Sequence, residues 1–258
     1  MSSVITSPYN LVRPSGVAIS AMTAAEQASI AAGDLDFIID PAERAPEIVS
    51  YALEDRRRGI LLKRAGTPLP TPTTLNGQPA VLGYEGSGYM VADYQIGASY
   101  FVAAAFETGP SIGTNDGVMC SLDQASANRL FVGVRLGDRW GLVHGSSYAI
   151  STAPGSILPN TKYVAWASFD ATLIGVSGAM NVELGINAIT TTASGAAPVA
   201  HMGDTKTTFF GGVGDRGSGH KFAFLDVCRR SLGGVANYKR RAAILAPLAE
   251  KIGITLEP

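Results

Sequence analysis

Leu130-Phe131-Val132-Gly133-Val134-Arg135-Leu136, followed at once by Gly137-Asp138, is the stretch on which the fold turns. Leu130, Val132, Val134 and Leu136 alternate with Phe131, Gly133 and Arg135. That is the period of a half-buried strand, since successive strand side chains point to opposite faces. Gly137-Asp138 then closes it as a turn. Working outward, Tyr100 to Phe106 is a continuous apolar run of strand length, and Tyr163 to Phe169 is another. Val182, Leu184 and Ile186 alternate with Asn181, Glu183 and Gly185; Thr207 to Phe210 and Phe222 to Cys228 complete the set. Asn115-Asp116-Gly117 and Pro154-Gly155 supply turn signals between them. Many short strands with regular turns predict an all-β fold, a two-sheet antiparallel jelly-roll sandwich over residues 76–234.

The composition agrees. Of 258 residues, 46% are hydrophobic and only 16% charged, enough apolar matter for a filled core and against wholesale disorder. The net charge of −1 gives no electrostatic reason to expect a nucleic-acid partner. The first twenty residues lack a basic stretch followed by an apolar run, so they do not read as a signal peptide. No segment approaches the roughly 20 apolar residues that span a bilayer, so no membrane insertion is expected. Synthesis in the cytoplasm of the producing cell follows as an expectation. Cys120 and Cys228 lie in no metal-ligand spacing; they read as buried thiols, with an inter-strand disulfide as the alternative.

On either side of the sandwich the text changes. Residues 1–75 read as an N-terminal attachment arm and linker. Thr23-Ala24-Ala25-Glu26 has the pattern of a helix capping box. Pro41-Ala42-Glu43 opens a second candidate helix, with Ile48, Val49 and Leu53 along one face. Gly66-Thr67-Pro68-Leu69-Pro70-Thr71-Pro72 reads as a stiff linker. Residues 235–258 predict a C-terminal helix packed on the sandwich. There Tyr238, Ala242, Leu245, Leu248 and Ile252 share a face opposite Lys239, Arg240 and Arg241, with a kink or break at Pro247.

The order of these segments resembles a known family. Asn76-Gly77-Gln78-Pro79-Ala80-Val81-Leu82-Gly83-Tyr84-Glu85-Gly86 looks like the first strand of concanavalin A-like (laminin-G-like) jelly rolls, and Ala98 to Phe106 like their next long strand. Lys162 to Asp170 is similar to their tryptophan-hydrophobic-Asp-Gly strand, although the glycine is missing and Trp166 sits late. Thr208 to Gly212 and Phe222 to Val227, with Ser231-Leu232, resemble the closing pair. The tail Leu245 to Ile254 is similar to a helix ending met when such domains occur in tailed-bacteriophage proteins. Over residues 76–254 the resemblance implies a surface-exposed recognition or decoration module.

Motifs that carry chemistry are sparse. Gly212-Val213-Gly214-Asp215-Arg216-Gly217 matches the dinucleotide pattern, but Lys221 to Val227 reads as a strand where that site needs a helix, so the glycines read as a hairpin loop. Glycosidases need two carboxylates flanking one bond, and Glu183 and Asp226 stand alone on their strands. His144, His201 and His220 are too scattered to form a metal set. Asn115, Asp116 and Asp123 offer oxygens for a rim calcium, but solvated turn residues are the plainer reading. Arg56-Arg57-Arg58, after Glu54-Asp55, reads as a salt-bridged helix end, with an acidic partner as the alternative. No catalytic residue, metal or cofactor is expected, and the chain is expected not to be an enzyme.

The resulting expectation is a structural or adhesion protein of a bacteriophage virion: capsid decoration, head fibre or tail component, assembled in the host cytoplasm. Its partners would be other virion proteins, held through the arm, and further copies of itself. The alternative is a lectin module binding host-surface glycan through loops at Gly86 to Tyr89 and Asp138 to Tyr148. An enzyme degrading glycans on the same fold stands third.

Overall fold

The computed structural model describes residues 24–42, 52–83, 88–122, 129–145, 148–200, 206–211 and 219–258. Helix α1 (Ala24–Ala31) precedes strands β1 (Leu35–Ile39), β2 (Ala52–Glu54), β3 (Leu61–Ala65) and β4 (Thr71–Leu75). The middle of the chain forms β5 (Gln78–Leu82), β6 (Tyr89–Ala92), β7 (Tyr100–Glu107), β8 (Asn115–Ser121), β9 (Leu130–Arg135), β10 (Arg139–His144) and β11 (Tyr148–Ser151). Then come β12 (Lys162–Phe169), β13 (Val182–Ile186), β14 (Ala193–Gly195), β15 (Thr207–Phe209), β16 (Lys221–Cys228) and helix α2 (Tyr238–Ile252).

The strands make two antiparallel sheets. The first runs β14-β13-β12-β7-β16-β5-β4, with β1 paired to the C-terminal end of β16; the second runs β11-β10-β9-β8-β15-β6-β3-β2. This is the expected sandwich closed by a C-terminal helix. Tight turns set the registers. Leu75 pairs with Gln78 across Asn76-Gly77, whose φ values of 51° and 74° are those of a type I′ hairpin.

Between the sheets lies the main core. Strand β7 sends Tyr100, Val102, Ala104 and Phe106 into it, β12 sends Tyr163, Ala165, Ala167 and Phe169, and β9 sends Leu130, Val132 and Val134. The opposite face of β7 and β12 is also dry: Phe101, Ala103, Ala105, Val164 and Trp166 pack beneath Ile244, Leu245, Leu248, Ala249 and Ile252 of α2. Burial on both faces explains why 100–106 is apolar without alternation. Trp166 is fully buried, under the helix and not between the sheets. Strand β9 departs from the half-buried reading, because Phe131 is also buried, with Cys120 and Val143, on the far side of its sheet.

Helix α2 runs unbroken through Pro247, so it does not divide into two short helices there. Leu245 on one side of the proline and Leu248 and Ile252 on the other are all anchored in the same apolar layer. The helix ends at Gly253, whose N–H bonds to Glu250 O at 3.1 Å while Ile254 N–H reaches Ala249 O at 3.0 Å. These are the two bonds of a Schellman cap.

The expected arm over residues 1–75 is corrected for its described part. Strand β1 pairs with β16, β2 and β3 extend the second sheet beside β6, and β4 pairs with β5. Phe37, Ile39, Leu53 and Leu62 are fully buried in the main core, and the Phe37 ring stacks on Tyr94 at 4.3 Å. Leu53 therefore serves a strand and not a helix face; residues 43–51 and 1–23 lie outside the described residues. The linker at 66–72 leads straight into edge strand β4, where Pro72 forfeits no interior ladder bond.

The charges that marked this segment off hold it in place. Arg56-Arg57-Arg58 forms the turn between β2 and β3 and is not a helix end. Arg56, 4% exposed, donates to Glu26 at 2.9 Å and Asp40 at 3.3 Å, while Arg57 and Arg58 reach Asp36. The acidic partner of the arginine run is the chain itself.

Candidate functional site

One edge of the first sheet carries a cleft of about 320 Å³, between β13, the segment leading to β14, and the N-terminal turn of α2. That is at the lower end of volumes that hold small ligands. Glu183 lines it. Its strand sends Val182 and Leu184 into the core, so Glu183 points to the opposite, helix-bearing face. Its carboxylate is held from two sides: Gly234 N–H donates to Oε1 at 2.6 Å, and the Thr191 hydroxyl donates to Oε2.

The segment 231–234 is fitted to that carboxylate. A Cβ at Gly233 would lie 2.7 Å from Glu183 Oε1. Gly234 has φ 76° and ψ 158°, a conformation that only glycine adopts without strain. Beneath the segment, Ser168 Oγ accepts the Leu232 N–H at 3.0 Å and meets Ser231 Oγ at 2.9 Å. The floor is Arg241, 2% exposed, with its guanidinium 5.1 Å over the Trp166 ring. Its Nε donates to Ile189 O at 2.9 Å, and Nη1 donates to Leu232 O at 2.5 Å and Gly234 O at 2.7 Å. Burial lowers its pKa, with Glu183 acting against that shift. Half-buried Tyr238 and exposed Thr190, Thr191, Ser194, Met180 and Val235 complete the lining.

The sequence isolated Glu183 and missed what surrounds it. Arg241 had been assigned to the solvent face with Lys239 and Arg240, yet its spacing to Leu245, Leu248 and Ile252 puts it on their face, and that spacing was the available signal.

Asp226 does not join Glu183. The two lie on β16 and β13, three strand spacings or about 14 Å apart across the sheet, beyond the reach of a carboxylate pair flanking one glycosidic bond. Asp226 lies buried beneath α2. Burial pushes its carboxyl well above the usual range, with Glu26 adding to the shift and Lys251 opposing it.

The remaining candidates are dispersed. Asn115 and Asp116 belong to β8 and not to a solvated turn; Asp116 is fully buried 3.1 Å from His220, and Asp123 lies outside the described residues. His220 Nδ1 accepts the Gly109 N–H at 2.8 Å; His144 Nε2 meets the Tyr100 hydroxyl at 2.7 Å; His201 is not among the described residues. No group of three metal-binding side chains occurs among the described residues. Residues 212–217 lie outside them, and β16 follows where a phosphate loop would need a helix. Of the expected lectin loops, Asp138 to Tyr148 is largely β10, and of Gly86 to Tyr89 only Gly88 and Tyr89 are described. Cys120 and Cys228 are free, in separate apolar layers on different sheets. No helix among the described residues is long and apolar enough to cross a membrane.

No protein-family model matches the sequence, and no curated protein sequence matches it. Solved structures share the fold at low identity. A Trypanosoma rangeli sialidase aligns with TM-score 0.55 and 14% identity over 84% of this chain and 33% of its own. The chain thus spans a third of that enzyme's length. Domain 4 of AbnA, a GH43 extracellular arabinanase from Geobacillus stearothermophilus in complex with arabinotriose, aligns with TM-score 0.56 and 11% identity over 73% of this chain and 92% of its own. Botulinum neurotoxin type C, whose uptake into cells depends on interaction with two ganglioside molecules, aligns with TM-score 0.55 and 11% identity over 85% and 53%. These likenesses bear out a β-sandwich and carry nothing specific to bacteriophages. They also correct the expectation that the chain is not an enzyme: glycoside hydrolases are among the proteins that share its architecture.

Proposed function

We propose that this chain is a glycan-recognition sandwich whose ligand occupies the cleft between β13 and α2. The observation that carries the reading is the convergence, in one concave site, of the half-buried Tyr238 ring, the anchored Glu183 carboxylate and the hydroxyls of Thr190, Thr191 and Ser194. An aromatic face packs on the apolar side of a sugar ring, while fixed acceptors and hydroxyls take its OH groups. Support from outside the molecule is the sandwich fold shared with an arabinanase domain in complex with arabinotriose and with a toxin that interacts with gangliosides. The test is a glycan array probed with the full chain and with Tyr238→Ala, folding being checked by circular dichroism. Binding to a defined glycan group that falls at least tenfold in the folded variant is the expected result. Binding that the variant leaves unchanged overturns the placement.

A finer placement rests on the strand and tail resemblance over residues 76–254. We propose that the chain is carried in repeated copies on a bacteriophage particle, as capsid decoration, head fibre or tail component. Many copies would turn weak single-site affinity into firm attachment to a glycan-coated host. Peptides of this chain in mass spectra of purified particles are the expected result, and particles without them overturn it.

A further inference from the structure

Resting on the glycan reading of the same cleft, we propose that its ligand presents neutral sugar hydroxyls to Glu183, and that acidic sugars are excluded. Two opposite charges line the cleft, the half-buried Glu183 and the buried Arg241. Among the described residues no other charged side chain lines it. Glu183 already accepts from Gly234 N–H and from the Thr191 hydroxyl, and a carboxylate has further lone pairs to offer. Arg241, 2% exposed, commits Nε and Nη1 to the carbonyls of Ile189, Leu232 and Gly234, so it braces the cleft from below.

A sugar hydroxyl is a donor, so it satisfies a remaining lone pair of Glu183 without bringing charge into the cleft. An anionic sugar fits it badly. Its carboxylate would share a small cleft with Glu183, and like charges brought that close repel. Arg241 is poorly placed to offset this, because burial under segment 231–234 and three carbonyl bonds fix its guanidinium in the floor.

The experiment is calorimetric titration of the full chain with a neutral oligosaccharide chosen from the array and with its sialylated counterpart, repeated with Glu183→Gln and, as a milder change, Thr191→Val. Neutral binding at least tenfold tighter than sialylated binding, with a smaller ratio in folded Glu183→Gln, is the expected result. Equal or tighter binding of the sialylated sugar by the wild-type chain overturns the inference while leaving the glycan reading intact. Binding of neither sugar, nor of anything on the array, overturns the glycan reading itself. Should Glu183→Gln fail to fold, the wild-type ratio still decides, and Thr191→Val, which removes one bond that anchors the carboxylate, is expected to weaken neutral binding.

Discussion

Trp166 shows how one side chain ties three parts of the molecule together. Its indole N–H donates to Ala188 O at 2.8 Å, its ring lies beneath Arg241, and its Nε1–Cε2 edge fills the space a side chain at Gly185 would take. Trp166→Ala is expected to destabilise by roughly 3–5 kcal/mol, the range for deleting a large buried aromatic, read by chemical denaturation. A cost under about 1 kcal/mol would count against its burial. Gly185→Val tests the same contact from the other side and should cost about 1–3 kcal/mol by overpacking. Asp55 makes a separate claim about pH. It accepts the N–H groups of Ile38 and Arg58, yet burial outweighs those bonds and pushes its carboxyl from the ordinary 3.8 up to about 6. The folded state thus favours the protonated form. Its contribution is fully present below pH 3.8 and lost as pH rises through about 6, on the order of 3 kcal/mol. Measured unfolding free energies between pH 4 and 7 should fall less steeply with rising pH in Asp55→Asn than in the wild-type chain; identical slopes would contradict the assignment.

At the scale of elements, what the sequence made legible was whatever repeats with a short period. The alternation at 130–134, the runs at 100–106 and 163–169 and the 3.6 spacing of α2 each encode a burial pattern locally, and each element is present. Strands β1 to β4 were not legible, because they are short, mixed with charge and proline, and defined by distant partners: Leu35 pairs with Cys228. The cleft failed to show for the same reason. Glu183 was visible as a lone acid, but Gly234 and Thr191 reach it from a loop and a strand connection, and Arg241 braces Gly234 from a helix, and no linear spacing joins them. Helix α2 carries a prediction of its own. It covers Phe101, Val164, Trp166 and Phe224 with Leu245, Leu248 and Ile252, each contributing about 1.5–3 kcal/mol by burial. Leu248→Asp should therefore unfold the chain or leave a state that binds apolar dyes, whereas Lys239→Ala on the exposed side should leave the melting temperature within a few degrees of wild type.

For the molecule as a whole, the β-sandwich is shared with enzymes that process glycans and with domains that bind them, so the fold sets a scaffold and the site must supply the function. The integration of residues 35–75 into both sheets changes what truncation does. Deleting residues 1–70 removes β1, β2 and β3 and strips Phe37, Ile39, Leu53 and Leu62 from the core, so the remainder is expected to lose cooperative unfolding. A truncated chain that keeps a sharp thermal transition would restore the detached-arm view. The central claim, that sugar is held between β13 and α2, is met most directly by a crystal structure of the full chain with the strongest neutral oligosaccharide from the array. The expected result is a sugar ring against Tyr238 with a hydroxyl on Glu183. Sugar bound elsewhere on the sandwich, with the cleft empty, would contradict it.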